Sequence, residues 1–307
     1  MELHRAAGAP GGETPTSSPT RPVCARTWDS CGPATRWPST LRILTSRRLD
    51  LVNDRTRQIN RLREQLLGLF PALERALPRK GRGLVVLLTG YQTPGAIRRL
   101  GVRRLESWLK KRGVKSTASL ARTAVEAAES QATTLPGEKI AADMAARIAE
   151  GVLVLDAEIA ELDALIVARF HDHPYAKVIE TLPGMGPRLG AEFIAVTDGD
   201  LTVFGTPDRL AGFAGLAPVP RDSGRVRGNL HRPRRYHRGL LRAYYLAAMA
   251  SLRCCPVSQH YYQRKRNEGK SHIQAVLALA RRRLNVLWAM IRDNTSYELR
   301  PPIPTAA

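Results

Sequence analysis

The chain has 307 residues, enough for two domains with sizeable cores, and it carries 48 Lys and Arg against 27 Asp and Glu. The resulting formal charge of +21 favours a nucleic-acid partner over a membrane, because clustered cations neutralise phosphates and release counterions. No apolar run reaches the ~20 residues of a membrane span, and the four cysteines lack metal spacing, so we expect a cytoplasmic protein without membrane contact.

Residues 1–40 differ from the rest of the chain, since they contain six prolines and show no apolar periodicity. Composition alone predicts a disordered segment there. From Leu41 the pattern changes to a basic amphipathic helix, which Pro71 interrupts. Shorter helices are predicted to follow, with a turn at Thr93 and Pro94, so residues 41–115 form a helical region.

Residues 116–172 contain a long predicted helix with a coiled-coil-like seam. Apolar side chains recur at steps of three and four from Ile140 to Ile166, with charged residues between them. The seam is compatible with pairing inside the chain or between two chains, and both alternatives stay open. Pro174 is expected to end the helix.

Residues 173–300 are predicted to form one compact helical domain, followed by a tail at 301–307. Its first feature is the turn "LPGMGP", where Gly184 and Gly186 allow positive φ and Pro187 begins the next helix. The turn resembles a helix-hairpin-helix, whose backbone N–H groups contact a phosphate. The alternative is a tight turn without a ligand; the charge of the chain favours phosphate contact.

The second feature of this domain is the basic stretch "RDSGRVRGNLHRPRRYHRG" at residues 221–239. Guanidinium groups bind phosphate in a bidentate manner, and Tyr236 lies among them as a candidate for base stacking. A solvated basic face is the simpler alternative. We expect nucleic-acid contacts from Arg221, Gly224, Arg225, Arg227, His231, Arg232, Arg234, Arg235 and Arg238.

Ser223 lies at the start of this stretch, where a Ser-Gly pair by itself indicates only a turn. A serine nucleophile needs its proton removed and the charge of the scissile phosphate neutralised. The neighbouring arginines suit the second task, whereas Asp222 and two histidines are the only nearby candidates for the first. The residues alone therefore favour a loop serine.

Four segments in fixed order carry a resemblance to a known family: "LPGMGPRLGAEFIA", "LAGFAGLAPVPRDSG", "GNLHRPRRYHRGLLRAYYLAAMASLR" and "RKRNEGKSHIQAVLALARRRLNVLWAMIRD". They resemble the C-terminal domain of insertion-sequence transposases of the one-ten type, the DEDD–serine recombinases, and the similarity extends over about residues 41–300. The resemblance implies a site-specific DNA recombinase in which Ser223 attacks DNA. It also implies a structured guide RNA as a partner, homo-oligomeric assembly, and Mg²⁺ bound by an RNase H-like acidic N-terminal half.

The chain departs from the family upstream of Leu41, where the acidic half is expected and only forty unlike residues stand. Asp50 and Asp54 follow that region and are interpreted as surface charges. A two-base shift across residues 13–40 yields a peptide that resembles the family, so we hypothesise a frameshifted or truncated N-terminus. We therefore expect the RNase H-like domain to be largely missing, no Mg²⁺ bound by this chain, and nucleic-acid binding with little recombination. The alternative is a non-catalytic helix-hairpin-helix nucleic-acid-binding protein.

Overall fold

Helices form most of the part of the chain that the computed structural model describes, namely residues 36–77, 81–131, 137–220, 224–225, 228, 230–231 and 233–299. The predicted mainly α fold class is therefore confirmed. The described residues from Trp37 onwards belong to one compact unit. The elements are α1 Arg36–Leu69, α2 Pro71–Ala76, α3 Arg82–Gly90, α4 Pro94–Lys111, α5 Thr117–Glu129, α6 Glu138–His171, α7 Ala176–Thr181, α8 Pro187–Thr197, α9 Pro207–Phe213, β1 Val219–Pro220, β2 Leu230–His231, α10 Arg238–Cys254, α11 Pro256–Asn267 and α12 His272–Asp293.

Two hydrophobic cores organise this unit. The first core is built by the end of α1, by α2 to α5 and by the start of α6; it includes Leu66, Phe70, Leu87, Leu105 and Val152. The second core is built mainly by α7 to α12, around the buried side chains Phe170, Phe193, Tyr244, Leu284 and Leu287. The described residues among the predicted nucleic-acid contacts lie in or between elements of the second core.

The two longest helices, α1 and α6, run between the cores in opposite directions. Leu41 near the start of α1 is buried in the second core, whereas Leu66 near its end is buried in the first. On α6 the order is reversed, because Val152 lies in the first core and Ile166 in the second. The two 34-residue helices are therefore antiparallel.

Ion pairs connect α1 to α6 along this antiparallel arrangement. Arg48 of α1 pairs with Asp163 of α6. Seven residues later on α1, Arg55 pairs with Asp156, which lies seven residues before Asp163 on α6. All four side chains are about three-quarters buried or more, so solvent screens these pairs less than exposed ones. Asp156 and Asp163, which lie between apolar positions of α6, thus have partners within the chain. Whether the apolar seam is a coiled coil stays a prediction.

Part of the predicted seam on α6 is not buried within the chain. Ile140 and Met144 are 68% and 54% exposed, whereas Val152 and Ile166 are fully buried. Both halves of α6 contribute buried side chains to a core, and both present apolar side chains to solvent, such as Ile140 and Leu165. Pairing inside the chain and pairing between two chains therefore both stay open. The predicted homo-oligomer remains untested.

Two helix starts are fixed by capping side chains. The Thr206 hydroxyl accepts a hydrogen bond from the N–H of Arg209, and Pro207 occupies the first turn of α9. Thr93 caps α4 in the same way. α1 begins at Arg36, upstream of the predicted boundary at Leu41. Among the described helices, none combines the length and apolarity needed to cross a membrane.

Candidate nucleic-acid interface

The turn between α7 and α8 is held by its contact with α10. Gly184 has φ +83°, as predicted, and a Cβ atom there would lie 2.4 Å from the backbone O of Ala247 and 2.8 Å from the backbone N of Ser251. Both atoms belong to α10, whose backbone the turn approaches too closely for any side chain. Packing therefore explains Gly184 fully, and its predicted phosphate contact stays a prediction.

Gly186 differs from the prediction, because its φ is −76° with ψ 176° and not positive. A residue that precedes proline is restricted to extended backbone, and Gly186 precedes Pro187 at the start of α8. Gly186 is exposed, and a Cβ atom there would meet no other atom within 4 Å. Its backbone is thus accessible at the N-terminus of α8, which leaves its predicted phosphate contact open.

A two-stranded antiparallel ribbon closes the basic loop at its base. Val219 of β1 pairs with His231 of β2, and Pro220 pairs with Leu230. The sequence analysis predicted only a loop, because a ladder of two residues is too short to produce an alternating pattern. Proline is tolerated in such a ribbon since neither strand is central in a sheet.

The basic residues that the structure describes around this ribbon are exposed. Arg234 and Arg235 lie in the bend after β2, and Arg238 is the first residue of α10. Neither these three nor Arg225 forms an ion pair with a carboxylate in the described ranges. Gly224 and His231 are also exposed. Arg221, Ser223, Arg227 and Arg232 lie outside the described residues.

His237 fixes the start of α10 beside these arginines. Its Nδ1 accepts a hydrogen bond from the N–H of Leu240 at 3.0 Å, which makes it the N-cap of the helix. Its backbone N–H donates to the carbonyl of Phe213 at 2.8 Å, and the two rings stack with centroids 5.5 Å apart. Burial lowers the pKa of His237, so the neutral ring needed to accept the bond is favoured. Histidine is not among the usual N-cap residues, and the sequence analysis missed this role.

We expect the stability of the domain to fall on acidification partly because of His237. The pKa of its folded state lies below that of the unfolded chain, so its contribution is complete above about pH 6.5 and is lost as the pH falls through the folded pKa. His237→Asn retains a capping acceptor that does not titrate. Between pH 7.5 and pH 5.5, the free energy of unfolding measured with urea should decrease less for this variant than for the parent. The difference should be about 1 kcal/mol, which is the contribution of a helix cap.

His173 serves as an internal reference for that measurement. Burial lowers its pKa too, and its Nδ1 accepts from the N–H of Tyr175 at 3.2 Å. His173 is unchanged in the His237→Asn variant, so its acid sensitivity remains in both proteins. An identical loss of stability in parent and variant would contradict the role assigned to His237.

Tyr236 has a structural contact that the sequence analysis did not foresee. Its ring lies against Gly215, where a Cβ atom would be 2.7 Å from the Cγ and Cδ2 atoms of the tyrosine. The side chain is half-buried. This packing accounts for a tyrosine at the position without any base stacking.

The described residues do not offer a site for Mg²⁺, the ion implied by the family resemblance. Magnesium is held by carboxylate oxygens that converge on one point. Asp50 is exposed, Asp54 pairs with Arg57 on the same helix, and no group of three or more metal-ligating side chains occurs within the described ranges.

Comparison with known proteins agrees with this arrangement. The sequence profile of the transposase IS116/IS110/IS902 family matches residues 176–263, which hold the α7–α8 turn, the ribbon and the basic loop. A 42 kDa protein of insertion element IS900 from Mycobacterium paratuberculosis is 55% identical over 268 residues, covering 87% of this chain and 67% of the relative. A 44.8 kDa protein of insertion element IS116 from Streptomyces clavuligerus is 46% identical over 312 residues, covering 99% and 78%.

The chain belongs to the IS116/IS110/IS902 transposase family. A more distant relative is the pilin gene-inverting protein of Moraxella lacunata, 28% identical over 130 residues, which cover 41% of this chain and 39% of the relative. The predicted family is thus confirmed. Within it, the segment shared with the family profile is the one that carries the exposed arginines.

Proposed function

We propose that the chain is a DNA transposase or recombinase of an insertion sequence, in which Ser223 is the nucleophile and the basic loop binds the scissile phosphate. Membership in the transposase family supports the reaction class. The observation that carries the DNA contact is a set of exposed arginines in and after the basic loop that form no ion pair with a carboxylate of the described residues, namely Arg225, Arg234, Arg235 and Arg238.

The contrast with arginines elsewhere in the chain supports this assignment. Arg48 and Arg55 on α1 are neutralised by carboxylates of α6. The loop arginines lack such partners in the described part of the chain and are therefore available for an external anion. The N-terminus of α10 adds a partial positive charge at the same place.

The proposed step is attack by the Ser223 Oγ on a DNA phosphorus. An Oγ–P bond forms as the serine hydroxyl gives up its proton, the bond from phosphorus to the leaving strand breaks, and the released oxygen takes up a proton, so that no net proton is gained or lost. Negative charge accumulates on the phosphoryl oxygens, and positioned guanidinium groups stabilise it.

We further propose two partners, a structured guide RNA and a second copy of the chain. The formal charge of +21 exceeds what one DNA contact requires. The exposed apolar side chains of α6 suit contact with another apolar helix; they are Ile140, Met144, Val154 and Leu165.

The DNA contact is tested by the double substitution Arg234→Gln and Arg235→Gln. Affinity for duplex DNA should fall about tenfold, and the slope of log K against log salt should decrease by about 2, since each lost phosphate contact removes about 0.9. Fluorescence anisotropy over a salt series measures both quantities.

The matched control carries Arg61→Gln and Arg122→Gln, which remove the same charge from exposed positions on α1 and α5 of the first core. We expect its affinity to change less than twofold. Equal weakening by both pairs would mean that binding depends on total charge and not on the loop.

A further inference from the structure

Helix α4, which packs in the first core, carries many more basic than acidic side chains. Its only acidic residue is Glu106, and none of its cations forms an ion pair with a carboxylate of the described residues. The exposed cations of α4 and its C-cap are Arg98, Arg99, Arg103, Arg104, Lys110, Lys111 and Arg112. Like the loop arginines, they are available for an external anion.

The helix bends at Gly101, which has φ 72° and ψ 167°. Downstream of the bend, the buried residues Leu105 and Leu109 face the core. Arg103, Ser107 and Lys111 are all exposed and follow one another at steps of four, so they share the solvent face of the helix. Cations and one hydroxyl are therefore aligned along about two turns.

Two aromatic rings lie at the edge of this face. Tyr91, which follows α3, meets Trp108 of α4 edge to face, with ring centroids 5.1 Å apart. Trp108 is held in place on two sides: a Cβ atom at Gly90 would be 2.3 Å from the indole, and the Arg112 guanidinium lies 3.7 Å from the ring centroid. The rings are thus fixed before any ligand binds.

These groups line one cavity of about 370 Å³. We call it the aromatic–basic pocket, and it consists of Tyr91, Leu100, Arg103, Arg104, Ser107, Trp108 and Lys111. Aromatic rings are not expected at a basic surface that contacts only solvent. A pocket that combines fixed rings with unpaired cations matches the two halves of a nucleotide, the base and its phosphate.

We propose that the aromatic–basic pocket binds an unstacked nucleotide of single-stranded nucleic acid. The base packs against Tyr91 and the part of Trp108 that lines the pocket, and the flanking phosphates contact Arg103, Arg104 and Lys111. A duplex does not fit this site, because its bases are stacked on one another and offer no free ring face. This surface belongs to the first core, so it is independent of the basic loop and of Ser223.

The test uses the full chain and fluorescently labelled twelve-residue oligonucleotides, oligo(dT), oligo(rU) and a duplex of the same length. Trp108→Leu removes the ring and keeps an apolar side chain against the core. It should weaken both single strands about tenfold, within the range for loss of one base–aromatic stack, and change duplex affinity less than twofold. The ratio between oligo(rU) and oligo(dT) tells whether RNA or DNA is the preferred strand.

A second variant tests the phosphate contacts without altering the packed ring. Arg103→Gln with Arg104→Gln should lower the salt slope for single strands by about 1.4, since each contact contributes about 0.7. The matched control is Arg98→Gln with Arg99→Gln, which removes the same charge from the same helix outside the pocket. Equal effects of the two pairs would overturn the proposal.

Photocrosslinking decides the question without any substitution that affects folding. An oligonucleotide that contains 4-thiouridine should crosslink to residues 91–111, located by mass spectrometry of the digested adduct. Crosslinks confined to other segments would refute the pocket. The outcome is separable from the proposed function, because failure of Ser223 or of the basic loop leaves binding at this pocket intact, and the reverse also holds.

Discussion

Replacing Ser223 with alanine is expected to abolish the covalent adduct between the protein and DNA while leaving DNA affinity within about twofold. Removal of a nucleophile costs orders of magnitude in rate, and we expect a decrease of at least about a thousandfold in adduct yield. The side chain lost is small and uncharged, so the phosphate contacts of the loop arginines persist. Denaturing gel electrophoresis of end-labelled DNA measures the adduct, and anisotropy measures the affinity.

The adduct is a better readout than recombination for this chain. Adduct formation reports the single attack step. Efficient strand exchange by the purified chain with guide RNA and both DNAs would disprove the expected impairment.

Ser119→Ala is the matched control, since Ser119 is an exposed serine on α5 of the first core. It should form as much adduct as the parent. If parent and Ser223→Ala behave alike and neither forms an adduct, the chain is better described as a non-catalytic nucleic-acid-binding protein. An adduct of undiminished yield from Ser223→Ala would assign the nucleophile to another residue.

Gly184→Ala is expected to destabilise the C-terminal domain by about 3 kcal/mol or more. The added methyl group would overlap the backbone of α10 at Ala247 and Ser251, neither of which can rotate away. The positive φ adds a penalty of roughly 1–2 kcal/mol for any residue with a Cβ atom. Overpacking of this kind costs a further ~1–3 kcal/mol. Chemical denaturation monitored by far-ultraviolet circular dichroism gives the change directly.

Gly186→Ala provides the control two residues away in the same turn. Its φ is that of ordinary extended backbone, and the added methyl group would meet nothing within 4 Å. We expect a change of less than about 0.5 kcal/mol, as for most surface substitutions. Similar destabilisation by both substitutions would show that the turn does not pack on α10 as described.

The same pair of variants separates packing from ligand binding at this turn. Gly184→Ala acts through stability, so its DNA affinity is informative only where the protein remains folded. Gly186→Ala leaves stability nearly unchanged and adds a methyl group at the start of α8, so weaker DNA binding by this variant would support the predicted phosphate contact of the turn.

Several features of this protein followed from local sequence alone. The mainly α fold, the turn at Thr93 and the long helix before Pro174 are set by residues within one or two turns of each other. The excess of positive charge is a property of composition and needs no fold. The family was recognisable because its motifs are contiguous segments in a fixed order.

Other features depended on residues far apart in the chain. Arg281 to Arg283 form a run that resembles an exposed basic face, yet Arg283 is only 4% exposed and donates to the Ser258 hydroxyl at 3.2 Å. The requirement for glycine at position 184 comes from α10, some sixty residues later. The sequence cannot show either relationship, because burial is defined by which helices pack together.

Features that could be predicted from the sequence differ from those that could not in how far apart the interacting residues lie in the chain. Helix propensity, capping and net charge arise from interactions over a few residues, so the sequence by itself determined the helices and the kind of partner. The tertiary structure alone decided which cations are neutralised and which stay free. It paired the α1 arginines with α6, left Arg234, Arg235 and the α4 cations exposed, and placed Trp108 beside Tyr91, because these neighbours are set by packing over long sequence separations.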